Sequence, residues 1–304
     1  MLRRALLATL LASAITPVLS AKERILLHRI GPSQSTLFIA NADGSGERPL
    51  MQNSGFDYNA SFSADGKWII FTSERDGSAD IYRVNADGSG LERLTDDPAY
   101  DDQGVLSPDG KQLAFVSSRG TGSADIWVLD LQTKKVRNLT HAPGSFLPSW
   151  SPDGKWIAFS SDRNTPVRRL DAERFAQVHA VSIYVMRADG TGLRSPTSAS
   201  KFAGSPKWSS DGKRVVFYEM EIKDTYYAMR PGFGIPIDSQ IVSVDVATGA
   251  RQEHTSGPGL KVSPQFLSES SIGYVMKAGS RMGLALYGWG SGCQRKDAQR
   301  VLVT

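Results

Sequence analysis

Cysteine is nearly absent from the sequence, since Cys293 is the only one among 304 residues. A single cysteine excludes an intramolecular disulfide, so the fold has to be stabilised by burial of apolar surface alone. It also excludes a zinc ribbon or a cysteine–histidine metal cluster. The four histidines have no metal-ligand spacing to one another, and we therefore predict no metal ligands and no resident cofactor.

Signatures of catalysis and of nucleic-acid binding are missing as well. No Gly-x-Ser-x-Gly elbow of the kind that carries a catalytic serine occurs, so we assign no catalytic residue. The 35 basic and 31 acidic residues are interspersed, without long runs of one sign. A nucleic-acid-binding surface requires clustered basic residues, and nucleic acid is therefore not expected as a partner.

Long apolar segments are confined to the N-terminus. Residues 1–20 begin with two arginines after Met-Leu, continue as an apolar run and end in small residues. This order is typical of a secretory signal peptide, cleaved here near Ser20 or Ala21, and the run is too short for a membrane span. We therefore expect an exported, soluble protein with no transmembrane segment after cleavage.

A repeated segment dominates the rest of the chain. Its clearest copy, at residues 151–163, reads Ser-Pro-Asp-Gly-Lys-Trp-Ile-Ala-Phe-Ser-Ser-Asp-Arg, which is a tight turn followed by an apolar run and a polar end. The turn aspartates of the four clear copies are Asp65, Asp109, Asp153 and Asp211. They are 44, 44 and 58 residues apart. A period of about 40–45 residues with several strands in each unit is typical of a β-propeller blade.

A second segment follows each copy and carries a Gly-rich turn of the Asp-Gly type, which favours a β-hairpin. The chain is therefore predicted to be all-β, a β-propeller of about six four-stranded blades over residues 24–290, with an irregular tail at 291–304. The first unit, at 24–50, lacks an inner strand, and the tail does not carry the repeat. Either the ring closes imperfectly or the chain is truncated at its C-terminus, and the second alternative is favoured.

The repeated segments Ser-Pro-Asp-Gly-Lys-x-Ile-Ala-Phe and Ile-Tyr-x-x-Asn-Ala-Asp-Gly-Ser-Gly-x-x-x-Leu-Thr resemble the repeat of the TolB-like, WD40-like (PD40) propeller family. The resemblance spans residues 24–289. It implies a six-bladed propeller, a periplasmic location in preference to extracellular secretion, and a protein partner in the cell envelope. The sequence departs from the family's namesake, because the α/β domain that precedes the propeller there has no counterpart here. The contacts of that domain are not carried over.

The residues at the start of each predicted inner strand are expected to surround the mouth of the central channel. Aromatic and charged side chains that converge on a concave mouth are typical of a ligand or peptide site, although any one of them could be a solvated loop residue. The carboxylates would attract a cation, either a metal ion or a basic peptide segment, and the lysines would make the mouth bipolar. The candidate binding residues are Asp57, Tyr58, Asp101, Asp102, Phe146, Lys201, Phe202 and Lys261.

Two further features allow alternative interpretations. Arg75, Arg119 and Arg163 recur at one strand end and form either a repeated structural contact or a ring that faces an anionic ligand. Insertions at 165–180 and 220–238 interrupt the repeat, and such loops often carry specificity. The favoured function is a non-catalytic scaffold that binds a protein or peptide at the channel mouth. The alternative, based on these loops and the acidic mouth, is a hydrolase or lyase acting on peptide or sugar.

Overall fold

The computed structural model describes most of the chain as β-structure. The described residues are 24–30, 35–42, 44–52, 55–120, 122–142, 144–165, 168–169, 177–228, 236–278 and 281–288. Within them the regular elements are β-strands apart from one short helix, α1 (Ile222–Ala228). No helix in these ranges is long and apolar enough to span a membrane. The predicted signal peptide and the predicted tail at 291–304 lie outside the described residues.

Five antiparallel sheets share one strand order, in which an inner strand pairs with a central strand and the central strand with a third. The inner strands are β4 (Asp57–Phe62), β8 (Asp101–Leu106), β12 (Ser145–Trp150), β17 (Phe202–Trp208) and β21 (Leu260–Ser268). The central strands are β5 (Trp68–Ser73), β9 (Gln112–Ser117), β13 (Trp156–Ser161), β18 (Arg214–Met220) and β22 (Ser271–Ala278). The third strands are β6 (Asp80–Asn85), β10 (Asp125–Asp130), β16 (Ser182–Arg187), β19 (Ser239–Asp245) and β23 (Arg281–Gly288). Three of these sheets have an outer strand, namely β7 (Glu92–Arg93), β11 (Val136–Asn138) or β20 (Arg251–Glu253).

The first sheet of the chain differs from these five. It consists of β1 (Arg24–Ile30), β2 (Ser35–Asn41) and β3 (Arg48–Pro49), and the described residues provide no inner strand for it. Numbered in chain order, the sheets are the first (β1–β3) and then the second to sixth, which begin with β4, β8, β12, β17 and β21. The inner strands of consecutive sheets contact one another, and β2 contacts β4. The predicted propeller is therefore confirmed, as five sheets with an inner strand and one without. Among the described residues no strand of the sixth sheet pairs with the first.

The core lies between the sheets. Successive residues of a strand point to opposite faces, so a central strand contributes to two interfaces and is buried on both sides. In β5, Ile69 and Phe71 belong to a cluster with Leu37 of the first sheet, whereas Ile70 belongs to one with Leu113 of the third sheet. Each of the five large apolar clusters joins two consecutive sheets in this way. The phenylalanine of each clear repeat is fully buried there: Phe71, Phe115, Phe159 and Phe217.

The aspartates of the repeated turns accept hydrogen bonds within their own turns. Ser63 Oγ donates to Asp65 Oδ1 at 2.7 Å, and the same oxygen accepts the backbone N–H of Lys67 at 3.1 Å. These hydrogen bonds hold the pKa of Asp65 below its usual value. Equivalent pairs of hydrogen bonds are made by Asp109, Asp153 and Asp211. Turn geometry therefore accounts for these carboxylates.

The two insertions meet. The first contains a short hairpin of β14 (Arg168–Arg169) and β15 (Gln177–Val178), and the second contains α1. Val178 and Ala180 from the first insertion form a small apolar cluster with Ile222 of α1, against which Tyr226 also packs. Segments 170–176 and 229–235 of the insertions lie outside the described residues.

Candidate partner-binding face

The five inner strands start with the same backbone irregularity. In each strand the register of pairing with the central strand shifts, and the first residue within the shift has a positive φ of 50–57°. These residues are Asn59, Gln103, Leu147, Ser205 and Ser263. Such bulges re-aim the side chains beside them. The bulge also defines equivalent positions, and the residues two places before it are Asp57, Asp101, Ser145, Ala203 and Lys261. We call the edge formed by the starts of these strands the mouth.

At the mouth, the second and third sheets hold their first aspartate in an internal ion pair. Arg75 Nη2 lies 2.9 Å from Asp57 Oδ1 and 3.0 Å from Oδ2, and Arg119 Nη2 lies 2.5 Å from Asp101 Oδ2. Both carboxylates are completely buried. Burial raises the pKa of Asp101, although a hydrogen bond from Ser117 and the charge of Arg119 act in the opposite direction. These two carboxylates already have cationic partners within their own sheets.

The recurring arginines form a repeated structural unit. Each donates from Nε to a serine two residues earlier, at 2.8 Å for Arg75, 2.9 Å for Arg119 and 3.2 Å for Arg163. Each guanidinium also lies over two aromatic rings of its own sheet, at 5.0–5.5 Å from the ring centroids. Cation–π contacts and hydrogen bonds therefore fix all three side chains. Of the two interpretations of the arginines, the structural one holds for Arg75 and Arg119.

Asp102 connects the second sheet to the third. Its carboxylate accepts hydrogen bonds from Asn59 Nδ2 at 2.8 Å and from Thr72 Oγ1 at 2.7 Å. The hydroxyl oxygens of Tyr58 and Tyr100 are 3.1 Å apart. Burial, followed by the hydrogen bond with Tyr100, raises the pKa of Tyr58. Tyr100 also donates to Asp102, at 3.4 Å, so the predicted Tyr58 and Asp102 are joined in one polar network, whereas Asp57 and Asp101 stay in their own ion pairs.

The two predicted lysines lie in different environments. Lys201 is half-buried, and its Nζ lies 3.4 Å from Glu221 Oε1. Lys261 is buried, and its Nζ donates to four backbone carbonyl oxygens at 2.9–3.3 Å. Burial lowers the pKa of Lys261, although Asp238 acts to raise it. The charge of Lys261 is held by a backbone carbonyl of the fifth sheet, at Ser239, and by the loop that precedes the sixth sheet, and it is not offered to solvent.

Aromatic side chains are exposed at the mouth. Phe56, Tyr100 and Phe146 are 43%, 46% and 36% exposed, and they lie at the starts of β4, β8 and β12. The starts of β8 and β12 adjoin, because Gln103 Oε1 accepts the backbone N–H of Leu147 at 2.7 Å, and the hydrogen bond from Asn59 to Asp102 joins the starts of β4 and β8. The predicted Phe202 is half-buried and stacks on Tyr218 with ring centroids 6.0 Å apart.

Phe56 and Tyr100 were missed by sequence reasoning. Each directly precedes the aspartate that begins an inner strand, so an aromatic residue before that aspartate was the available signal.

The repeated sheets and their shared mouth define the chain as a β-propeller. A family model described as the TolB beta propeller domain (PD40) matches residues 4–165 and 105–223. The chain belongs to the TolB β-propeller family.

Solved structures share this fold. TolB from Acinetobacter baumannii matches with a TM-score of 0.66 and 23% identity, over 87% of this chain and 60% of that one. A protein described as putative TolB from Agrobacterium tumefaciens matches with a TM-score of 0.68 and 20% identity, over 90% of each chain. The β-propeller domain of the trilobed protease from Pyrococcus furiosus, described as having an open velcro topology, matches with a TM-score of 0.55 and 13% identity, over 92% of this chain and 81% of that one. This chain thus spans less than two thirds of the Acinetobacter protein.

Proposed function

We propose that this protein is a non-catalytic, exported scaffold that binds a protein or peptide segment at the mouth. The observation that carries the proposal is the placement of exposed apolar side chains. Of the six large ones among the described residues, Phe56, Tyr100 and Phe146 lie at the starts of three consecutive inner strands. Exposed apolar groups gathered in one place mark interaction sites, and aromatic anchors supply much of the binding energy at such sites.

The polar groups at the mouth support a positioning role. Asp57 and Asp101 hold arginines, and Asp102 ties the second sheet to the third. Ion pairs and hydrogen bonds of this kind keep a surface rigid, which reduces the entropy lost when a segment binds. On this proposal the predicted binding residues divide into contact residues, which include Phe146 and Tyr58, and residues that hold the contact surface in place.

The experiment is a pull-down from envelope extract with the mature chain as bait, since the predicted signal peptide makes an envelope protein the first partner to test. A mouth variant combines Phe56→Ser, Tyr100→Ser and Phe146→Ser. A rim variant changes the other three exposed apolar residues, Leu91, Val136 and Leu193, to serine. We expect the wild type and the rim variant to capture the same protein and the mouth variant to lose it. Equal capture by both variants would rule out the mouth as the binding site.

Export is tested separately. The exported form should begin at Ala21 or Lys22 when its N-terminus is sequenced, whereas an intact Met1 on a cytosolic protein would contradict the proposed location.

The hydrolase or lyase alternative has no specific observation in its favour. It rests on the two insertions and the acidic mouth. The described parts of the insertions pack on each other through Val178, Ala180 and Ile222, and Asp57 and Asp101 of the mouth are paired with arginines. The likeness to the propeller of a protease is at 13% identity and extends to the fold alone. The alternative therefore stays a hypothesis.

A further inference from the structure

We infer that the fourth sheet contains a carboxylate-binding site at Arg163, formed because Ser145 stands where the second and third sheets carry an aspartate. The inference rests on the proposed function and deepens it, since it names the chemical group of the bound segment that the mouth would recognise.

The chain itself provides the comparison. Asp57 and Arg75 are 18 residues apart, as are Asp101 and Arg119, and each pair is joined by a hydrogen-bonded ion pair. Ser145 and Arg163 have the same separation and are also in contact, with Arg163 Nη2 donating to Ser145 Oγ at 3.0 Å. The fourth sheet thus keeps the arginine and its hydrogen bonds, but a hydroxyl group replaces the carboxylate.

Among the described residues, the charge of Arg163 has no counterion in direct contact. Within the part of the chain that the structure describes, Arg163 forms no ion pair, although Asp125 and Asp162 act on it from a greater distance. The residue is only 9% exposed, whereas Arg75 and Arg119 are half-buried. Burial accordingly lowers the pKa of Arg163. A desolvated guanidinium without an anion is unfavourable, and an incoming carboxylate would complete the arrangement that the two preceding sheets already have.

The geometry favours a planar, forked ligand. The Arg163 guanidinium lies over Phe159 at 5.0 Å and over Tyr184 at 5.3 Å, so its plane and direction are fixed before anything binds. The Arg163 Nε and Nη2 groups already donate to Ser161 and Ser145, so a ligand carboxylate would approach the remaining N–H groups of the guanidinium. Phe146, the exposed aromatic residue of the proposed binding surface, directly follows Ser145. The preferred ligand is therefore a peptide carboxylate beside an apolar side chain.

The test uses the whole mature protein and acetate as the probe, with sodium chloride at equal ionic strength as the reference. We expect acetate at about ten times its dissociation constant to raise the wild-type Tm by about 3 °C over chloride. Ser145→Asp supplies the carboxylate internally, so its Tm in chloride should exceed that of the wild type and should not respond to acetate. Ser145→Asn has the size of aspartate without its charge and should not gain stability in chloride. An equal acetate response in the wild type and Ser145→Asp, or none in the wild type, would overturn the inference.

A second variant guards against misfolding of Ser145→Asp. Arg163→Lys keeps the charge but loses the fork, and it should reduce the acetate response at least severalfold. An unchanged response in this variant would also overturn the inference.

The carboxylate could come from a side chain or from a chain terminus, and two blocked peptides distinguish these sources. Acetyl-dialanine offers a terminal carboxylate, and acetyl-aspartyl amide offers a side-chain carboxylate. Competition with acetate by either peptide supports the site and identifies its source. A response to acetate with competition by neither would indicate an adventitious ion only. If acetate does not bind but the mouth variant still loses the partner that the rim variant captures, the carboxylate site is rejected and the proposed function is not. If acetate binds but both variants capture the partner equally, the proposed function is rejected and the carboxylate site is not.

Discussion

Arg75 donates to both carboxylate oxygens of Asp57, at 2.9 and 3.0 Å, and the carboxylate is completely buried at the start of the second sheet. Removing one partner of a buried pair leaves the other charge desolvated, which is costly, whereas an exposed pair contributes little. The mouth of this propeller therefore depends for its shape on carboxylate charges that solvent does not reach.

The first prediction concerns this pair. Asp57→Asn should lower the free energy of unfolding by about 3 kcal/mol, because the Arg75 guanidinium loses its counterion. The control is Glu92→Gln, which disrupts the more exposed pair with Arg83 and should cost less than about 1 kcal/mol. Urea denaturation of both variants measures the difference. Equal losses would mean that burial adds nothing to the Asp57 pair.

The second prediction concerns the packing of the first sheet on the second. A Cβ added at Gly88 would lie 2.1 Å from the Leu50 carbonyl oxygen, and the φ of Gly88 is +94°. Gly110 is the matched control, since its φ is +71° and a Cβ there meets nothing within 4 Å. Both alanine variants are destabilised by the left-handed backbone conformation, but Gly88→Ala should lower the free energy of unfolding by about 1–3 kcal/mol more than Gly110→Ala does. Urea denaturation measures the difference. Equal losses of stability in the two variants would show that the backbone around Leu50 can move to accommodate the added Cβ.

The architecture was predictable because its signals are local. Apolar central strands, Asp-Gly turns and a fixed period are all properties of short segments, and the sheets follow them closely. The helix α1 and the contact between Val178 and Ile222 were not predictable, because both insertions depart from the repeat and contain no pattern of their own.

The mouth was predictable in position and less so in chemistry. The sequence places Asp57 and Asp101 at strand starts, but whether a carboxylate there is free or paired depends on an arginine 18 residues later. That spacing recurs and was an available signal. The four carbonyl contacts of Lys261 had no such signal, because tertiary packing brings their backbone groups to the lysine: three belong to the loop at 257–259 and one to Ser239 of the fifth sheet. Whether the eight predicted residues bind a partner stays a prediction.

The third prediction is a pH dependence. Hydrogen bonds within the turns lower the pKa of the four turn aspartates from the ordinary value of 3.8: Asp65, Asp109, Asp153 and Asp211. The unfolded chain therefore takes up protons first as the pH falls. The stabilisation is fully present above about pH 4 and is lost as the pH falls through the lower folded values.

The corresponding experiment replaces all four with asparagine, whose carbonyl oxygen can accept the same hydrogen bonds. The variant should lose less stability than the wild type between pH 5 and pH 3 in thermal unfolding, which is about the range in which aspartates titrate. The variant should still lose some stability as the pH falls, because four hairpin aspartates also have lowered pKa values: Asp87, Asp130, Asp189 and Asp245. Parallel curves for variant and wild type would contradict the prediction.

The fourth prediction concerns Lys207 on the inner strand β17. Its side chain is half-buried, and it forms no hydrogen bond or ion pair with the residues that the structure describes. Burial lowers its pKa, so the charged form is less favourable in the native state than in the unfolded chain. Lys207→Met should therefore raise the free energy of unfolding at neutral pH by about 1–2 kcal/mol.

The pH dependence of that gain identifies its cause. As the pH rises from the folded pKa of Lys207 towards 10.5, the native state releases the proton while the unfolded chain keeps it. The free energy of unfolding of the wild type then rises relative to that of Lys207→Met, so the stability advantage of the variant should become smaller. Lys213→Met, at an exposed turn lysine, should change stability by less than about 0.5 kcal/mol and show no such narrowing in this window. If the stability difference between Lys207→Met and the wild type stays constant over this pH range, the variant is more stable because methionine packs better, and not because a desolvated charge has been removed.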